Sequence, residues 1–173
     1  MTTQAIDKDT VDGFRDLFVS AFSKPTCYVA APDFSPEHMA LVDKVSHILT
    51  LYRIHPYLPV REVRYDVAEM SPIDVLERNR REIRRSDFVL AITDGRDLGT
   101  MVELGMSYIL DVPLVLYWDD HQERPFNLML SAPAVAALRG PDQLARYFKF
   151  MRQATNDGRP WALPVLPTDI DVF

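Results

Sequence analysis

The chain has a single cysteine, Cys27, in 173 residues, so no disulfide can close within it. It has only four histidines, His38, His47, His55 and His121, spread far apart along the sequence. No cluster of His and Cys has ligand spacing, so no metal site is expected, and nothing calls for a cofactor. There is no P-loop, and no GxGxxG run follows an apolar strand, which excludes two familiar phosphate-cradling turns. Apolar runs are short, and none approaches the roughly 18 residues of a membrane span. The first twenty residues are charged and lack an apolar core segment, so no secretory leader is expected. Nor is there an excess of basic charge: 19 Lys and Arg stand against 25 Asp and Glu, a net charge of -6. That balance argues against a nucleic-acid-binding surface. The one basic concentration, Arg78, Arg80, Arg81, Arg84 and Arg85, lies at near-helical spacing beside acids and reads as a solvated helix face. The expected location is the cytoplasm.

The length and an apolar share of 47% suit one domain with a sizeable core. Val11, Phe14, Leu17, Phe18 and Phe22 recur at three- and four-residue spacing, predicting an amphipathic helix over 7–22. Lys24-Pro25 ends it, so residues 1–25 form a helical extension to a domain spanning 26–173. Short apolar runs at 26–31, 87–93 and 113–118 read as buried strands, and a further strand is expected near 58–63. Ser35-Pro36 and Ser71-Pro72 pair a cap with proline at the first helical position. Helices are expected from there to about Leu51 and Arg85, and again at about 99–110 and 141–151. His38 and His47 are expected on a helix surface. Strands alternating with helices predict an α/β fold, a single flavodoxin- or Rossmann-like parallel sheet flanked by helices. Ligands of such sheets bind beyond the carboxyl ends of the strands, which singles out the loops after 26–31, 87–93 and 113–118.

The second of these loops carries the densest chemistry, Asp94-Gly95-Arg96-Asp97-Leu98-Gly99-Thr100-Met101-Val102-Glu103-Leu104-Gly105. Gly95 and Gly99 allow tight turns, and Asp97 or Thr100 is placed to cap the helix that follows. Glu103 then falls in its first turns, where the helix dipole favours an ionised carboxylate, the form that a glycosidic nucleophile needs. Six residues are one and two-thirds turns, so Asp97 and Glu103 share a cleft only if Asp97 belongs to the loop. Gly105 inside a helix costs about 1 kcal/mol relative to alanine, which suggests that a neighbour needs the space.

The pattern DG-x-D-x-G-T-x-x-E-L-G resembles the central motif of the nucleoside 2-deoxyribosyltransferases and their N-glycoside hydrolase relatives. The resemblance extends in order over residues 26–130. Tyr28-Val29-Ala30-Ala31-Pro32 resembles the family's first strand and loop, and Ser86-Asp87 the start of its central strand. Asp111-Val112-Pro113 leads into the next strand, and Asn127-Leu128-Met129 resembles an Asn-Leu-Met element beyond it. The resemblance implies a retaining double displacement that moves 2-deoxyribose between nucleobases. Glu103 matches the nucleophile, Asp97 an aspartate that orients substrate and base, and Tyr28 the tyrosine that hydrogen-bonds the nucleophile. Asn127 matches a side chain that reaches the sugar 5′-hydroxyl in a neighbouring subunit's site, which implies a homo-oligomer with shared sites. The terminal carboxylate on Phe173 is a further candidate for that hydroxyl. Nucleosides and nucleobases are the implied partners.

One departure stands out. Eight residues before Asp87 the family carries an aspartate that contacts the base and helps to protonate it; here the residue is Asn79. An amide cannot deliver a carboxylic-acid proton, though it still offers both a donor and an acceptor. Asp97, Asp94 or solvent is left for the acid role. Two other readings stay open: hydrolysis of nucleosides or nucleoside 5′-monophosphates on the same fold, and a non-catalytic nucleotide-binding domain. The loop Ala30-Ala31-Pro32-Asp33-Phe34 is poor in phosphate contacts and favours nucleosides. Residues 55–75 are the expected base-binding wall, with no readable motif.

Overall fold

The computed structural model describes residues 24–32, 35–62, 70–119, 128–156 and 163–165. The helix expected over 7–22 lies outside them, as do Asn127 and Phe173. Five strands form one sheet: β1 (Thr26–Ala30), β2 (His55–Tyr57), β3 (Phe88–Ile92), β4 (Leu114–Trp118) and β5 (Ala134–Arg139). Their order is β2-β1-β3-β4-β5 and every pairing is parallel. This is the flavodoxin-like doubly wound order, whose switch point lies between β1 and β3.

The connecting helices are α1 (Pro36–Leu51), α2 (Pro59–Glu62), α3 (Pro72–Arg85), α4 (Leu98–Ile109) and α5 (Leu128–Ser131), with α6 (Gly140–Asn156) after β5. Both Ser-Pro signals open helices. Ser35 accepts the amide of His38 and satisfies one orphan amide, whereas Ser71 forms a reciprocal capping box with Asp74 that satisfies two. α1 and α6 cover one face, where Val42, Val45 and Leu49 meet Leu144, Tyr147 and Phe148 over the β-strands. Ile83 of α3 and Leu104 of α4 cover the other, against Tyr28, Ala30, Val89 and Ala91. Among the described residues no helix is long and apolar enough to cross a membrane.

One expectation needs correction, and one strand was not expected. The strand expected near 58–63 is instead a helical turn at Pro59–Glu62, preceded by the three-residue β2. Pro59 suits a first helical position, and Pro56 is tolerated because β2 is an edge strand. β5 carried no readable signal, since Ala134-Val135-Ala136-Ala137-Leu138-Arg139 holds one β-branched residue among alanines, which favour helices. The arginine stretch does form a solvated face: Arg80 pairs with Glu77 and Arg85 with Glu82.

Cys27 is fully buried on β1. Desolvation pushes its thiol well above the ordinary range, more than the Leu90 backbone hydrogen bond lowers it. A thiol in that state is inert. In the native protein an aromatic disulfide reagent should therefore find no reactive thiol, and one equivalent should appear across the urea transition; release of thiolate colour without urea would show that β1 opens locally.

Candidate active site

At the carboxyl end of β3 the chain makes a 3-10 turn, Asp94–Arg96. Gly95 there has φ of 77°, and a Cβ on it would meet His38 Nε2 at 3.1 Å. His47 is exposed on α1 as expected, but His38 is not on the surface side: it packs on this turn, and its Nδ1 is buried. Asp97 follows as the N-cap of α4. Its carboxylate accepts the Thr100 amide at 2.7 Å and the Thr100 hydroxyl at 3.0 Å. A Cβ on Gly99 would stand 3.0 Å from Asp97 Oδ2, so the bare glycine gives the carboxylate room to fold over the first turn.

Glu103 lies farther along α4, on the side facing α3 and β1. Its Oε1 accepts the Tyr28 hydroxyl at 2.7 Å and the Asn79 side-chain amide at 3.0 Å. Tyr28 is fully buried on β1, with its ring stacked on Tyr57 at 5.6 Å and 22°. Asn79 is 9% exposed on α3. A carboxylate can only accept, so the Asn79 nitrogen must face it. These two bonds, from separate elements, fix the rotamer of Glu103.

Glu103, Asp97, Asn79, Gly99 and Thr100 line one cleft of about 660 Å³, within the range that holds small ligands. The opposite wall is apolar: Pro59 and Val60 of α2, with Pro72, Val75 and Leu76 of α3. Most of this wall falls in the stretch 55–75 that has no motif of its own. The cleft sits at the β1/β3 switch point, with Ala31 contributed by the loop after β1.

The remaining candidates lie elsewhere. Both Asp94 carboxylate oxygens accept the Asp119 amide, at 3.1 and 3.0 Å. Asp94 thus ties the ends of β3 and β4 together and is not among the cleft residues. Met129 is on α5, 78% exposed and outside the lining. Among the described residues no group of three or more His, Cys, Asp and Glu side chains is arranged to hold a metal.

Fold and cleft together define a doubly wound α/β protein with a small-molecule site built around an oriented carboxylate. The nucleoside 2-deoxyribosyltransferase family model matches residues 27–131, more than half of the chain, and the protein belongs to that family. A search of curated proteins returns no match. Among solved structures, a 2-deoxyribosyltransferase of the psychrotolerant Bacillus psychrosaccharolyticus is 25% identical with a TM-score of 0.66, over 82% of this chain and 98% of that one. A conserved protein of Enterococcus faecalis is 19% identical with a TM-score of 0.64, over 74% of this chain and 99% of that one. A CMP N-glycosidase of Clostridium botulinum is 12% identical with a TM-score of 0.52, over 72% and 98%; these last two share the fold.

The cap formed by Asp97 can be separated experimentally from a part in the cleft that it lines. Serine keeps a capping oxygen but removes the carboxylate. Asp97→Ala should lower the unfolding free energy by about 1 kcal/mol, whereas Asp97→Ser should stay within about 0.5 kcal/mol of wild type. Both should lose N-glycosidic activity to a similar extent. Urea midpoints and initial rates check this; full activity in Asp97→Ser would confine Asp97 to capping.

Proposed function

We propose that this protein is a nucleoside 2-deoxyribosyltransferase that works by double displacement, with Glu103 as the nucleophile. The observation that carries the reading is the Glu103 carboxylate, held by Tyr28 and Asn79 at the wall of the cleft. An oxygen of Glu103 attacks C1′ of a 2′-deoxyribonucleoside. The C1′–O bond forms as the C1′–N bond breaks, and the bonding pair leaves with the base, which takes up a proton. A second base then attacks C1′ through nitrogen, loses its proton and expels the Glu103 carboxylate. Two inversions retain configuration. Asp97, the other cleft carboxyl, orients sugar and base and relays the proton between base and solvent. Tyr28 is a positioning residue, since its buried hydroxyl meets Glu103 rather than substrate. The apolar wall of Pro59, Val60, Val75 and Leu76 suits the face of a base. The same reading places the protein in the cytoplasm.

It also makes the protein a homo-oligomer, with Asn127 and the Phe173 carboxylate directed at the sugar 5′-hydroxyl of an adjacent subunit's site. Support comes from α4. Leu98, Val102 and Ile109 are 81%, 51% and 78% exposed, and they line up at helical spacing with Gly105, where a Cβ would meet nothing within 4 Å. Among the described residues no neighbour within the chain explains that glycine, whereas the close approach of a second helix would. Val102→Glu should shift the protein from oligomer to monomer in size-exclusion chromatography with light scattering; an unchanged mass would remove α4 from the interface.

The chemistry is tested with 2′-deoxyinosine, with and without adenine, and with Glu103→Ala as control. Deoxyadenosine should appear only when adenine is present, and the variant should lose at least about a thousandfold in rate, the scale of losing a covalent nucleophile. Hypoxanthine released at the same rate without adenine would make the enzyme a hydrolase. Undiminished turnover by Glu103→Ala would overturn the mechanism.

A further inference from the structure

The amide of Asn79 donates to Glu103 Oε1 at 3.0 Å, the same oxygen that accepts from Tyr28. Its own Oδ1 is buried and has no hydrogen-bond partner. That combination is unusual. A buried acceptor without a partner destabilises the fold, and an apolar side chain of the same shape would remove the penalty. α3 has no need of an amide here: its capping box is at Ser71 and Asp74, and its core contact is Ile83. Among the described residues the Asn79 side chain makes one hydrogen bond, the one to Glu103.

We infer that Asn79 is a positioning residue for the nucleophile, retained at a cost in stability because its amide and the Tyr28 hydroxyl together hold Oε1 and aim the carboxylate into the cleft. The inference rests on the reading of Glu103 as nucleophile and adds a role for Asn79 distinct from recognition of the base. The two donors come from separate elements, α3 and β1, and meet at one oxygen. Rotation about the last torsion of Glu103 would break both bonds at once. Attack then comes from Oε2, which receives neither of these two bonds. An amide also differs in kind from a carboxyl at this position. It donates at every working pH and never adds a second negative charge beside Glu103. Glu103 therefore has no carboxyl at this position with which to share a proton, as two adjacent carboxyls would.

The test uses Asn79→Leu, which keeps the volume, and Asn79→Ala, which cannot overpack. For each, kcat, KM and Tm are measured on the full-length protein with 2′-deoxyinosine and adenine. The expected result is a fall in kcat of about ten- to a hundredfold, the scale of one charge-assisted hydrogen bond. KM should stay within about threefold, because uniform binding is not lost, and the Tm of Asn79→Leu should be no lower than wild type. Combining Asn79→Leu with Tyr28→Phe should cost less than the product of the single losses if both act on one oxygen, or more if either alone suffices; simple multiplication would argue against joint action. A raised KM with unchanged kcat would make Asn79 a substrate contact and overturn the inference, as would full activity in either folded variant. A lowered Tm with unchanged kcat would make it structural. Failure of the underlying reading looks different: Glu103→Ala would then turn over like wild type, whatever happens at position 79.

Discussion

The pairing of β1 with β3 is the constraint on which the rest of the molecule depends. These strands are neighbours in the sheet, yet sixty residues of chain lie between their register partners Cys27 and Phe88. Their amino-terminal ends are fastened by an exchange of bonds: Asp87 accepts the Thr26 amide at 2.6 Å, and the Asp87 amide donates to Thr26 at 2.9 Å. After β1 the chain turns to one face of the sheet, through α1; after β3 it turns to the other, through α4. A crevice has to open where the two exits diverge, and because parallel strands all end on the same side, every loop that matters converges there. Chemistry needs nothing further from the sheet than this pairing and its register.

Register then decides which side chains reach the crevice. Tyr28 faces α3 and α4, packed with Ile83 and Leu104, while its neighbours Cys27 and Val29 face the opposite layer. A slip of one residue would turn the tyrosine to the α1 face and leave Glu103 without one of its donors. The site is thus built from a strand, a helix packed on it and a second helix beside that, elements whose positions are fixed by core packing. Rigid elements hold a reacting group more closely than loops do. The arrangement carries a penalty in the buried Asn79 oxygen, and such local penalties are characteristic of sites shaped for function rather than for stability.

Much of this was legible in the sequence, for identifiable physical reasons. Continuous apolar runs mark strands buried on both faces, so β1, β3 and β4 stand out. Ser-Pro pairs fix helix starts to the residue because the cap and the proline each satisfy or remove an orphan amide. The motif around Glu103 is local, and its glycines have local causes, with Gly95 at positive φ and Gly99 beside the Asp97 carboxylate. What stayed hidden depends on distant partners. β5 is alanine-rich and is a strand only because β4 offers it an edge. The fate of Asn79 could not be read from its own surroundings in α3, since its partner lies 24 residues away on another helix. Val60 and Val75 look like ordinary apolar residues until α2 and α3 bring them to one wall.

The same division explains how Glu103 can stay fixed while a neighbouring position is free to differ. Glu103 and Tyr28 are tied to β1–β3 register, so neither can move without disturbing the sheet. Asn79 is joined to them only by its hydrogen bond to Glu103. It sits on the inner face of a helix whose outer surface is highly charged, and its side chain projects into the cleft wall without sharing in the core around Ile83. An amide rather than a carboxyl there alters the charge beside Glu103 without altering a strand or the Ser71 cap. The electrostatics of the crevice can drift at this position while the scaffold stays fixed. Under the double-displacement reading, differences in how the departing base is protonated are therefore to be sought on α3 before anywhere on the sheet.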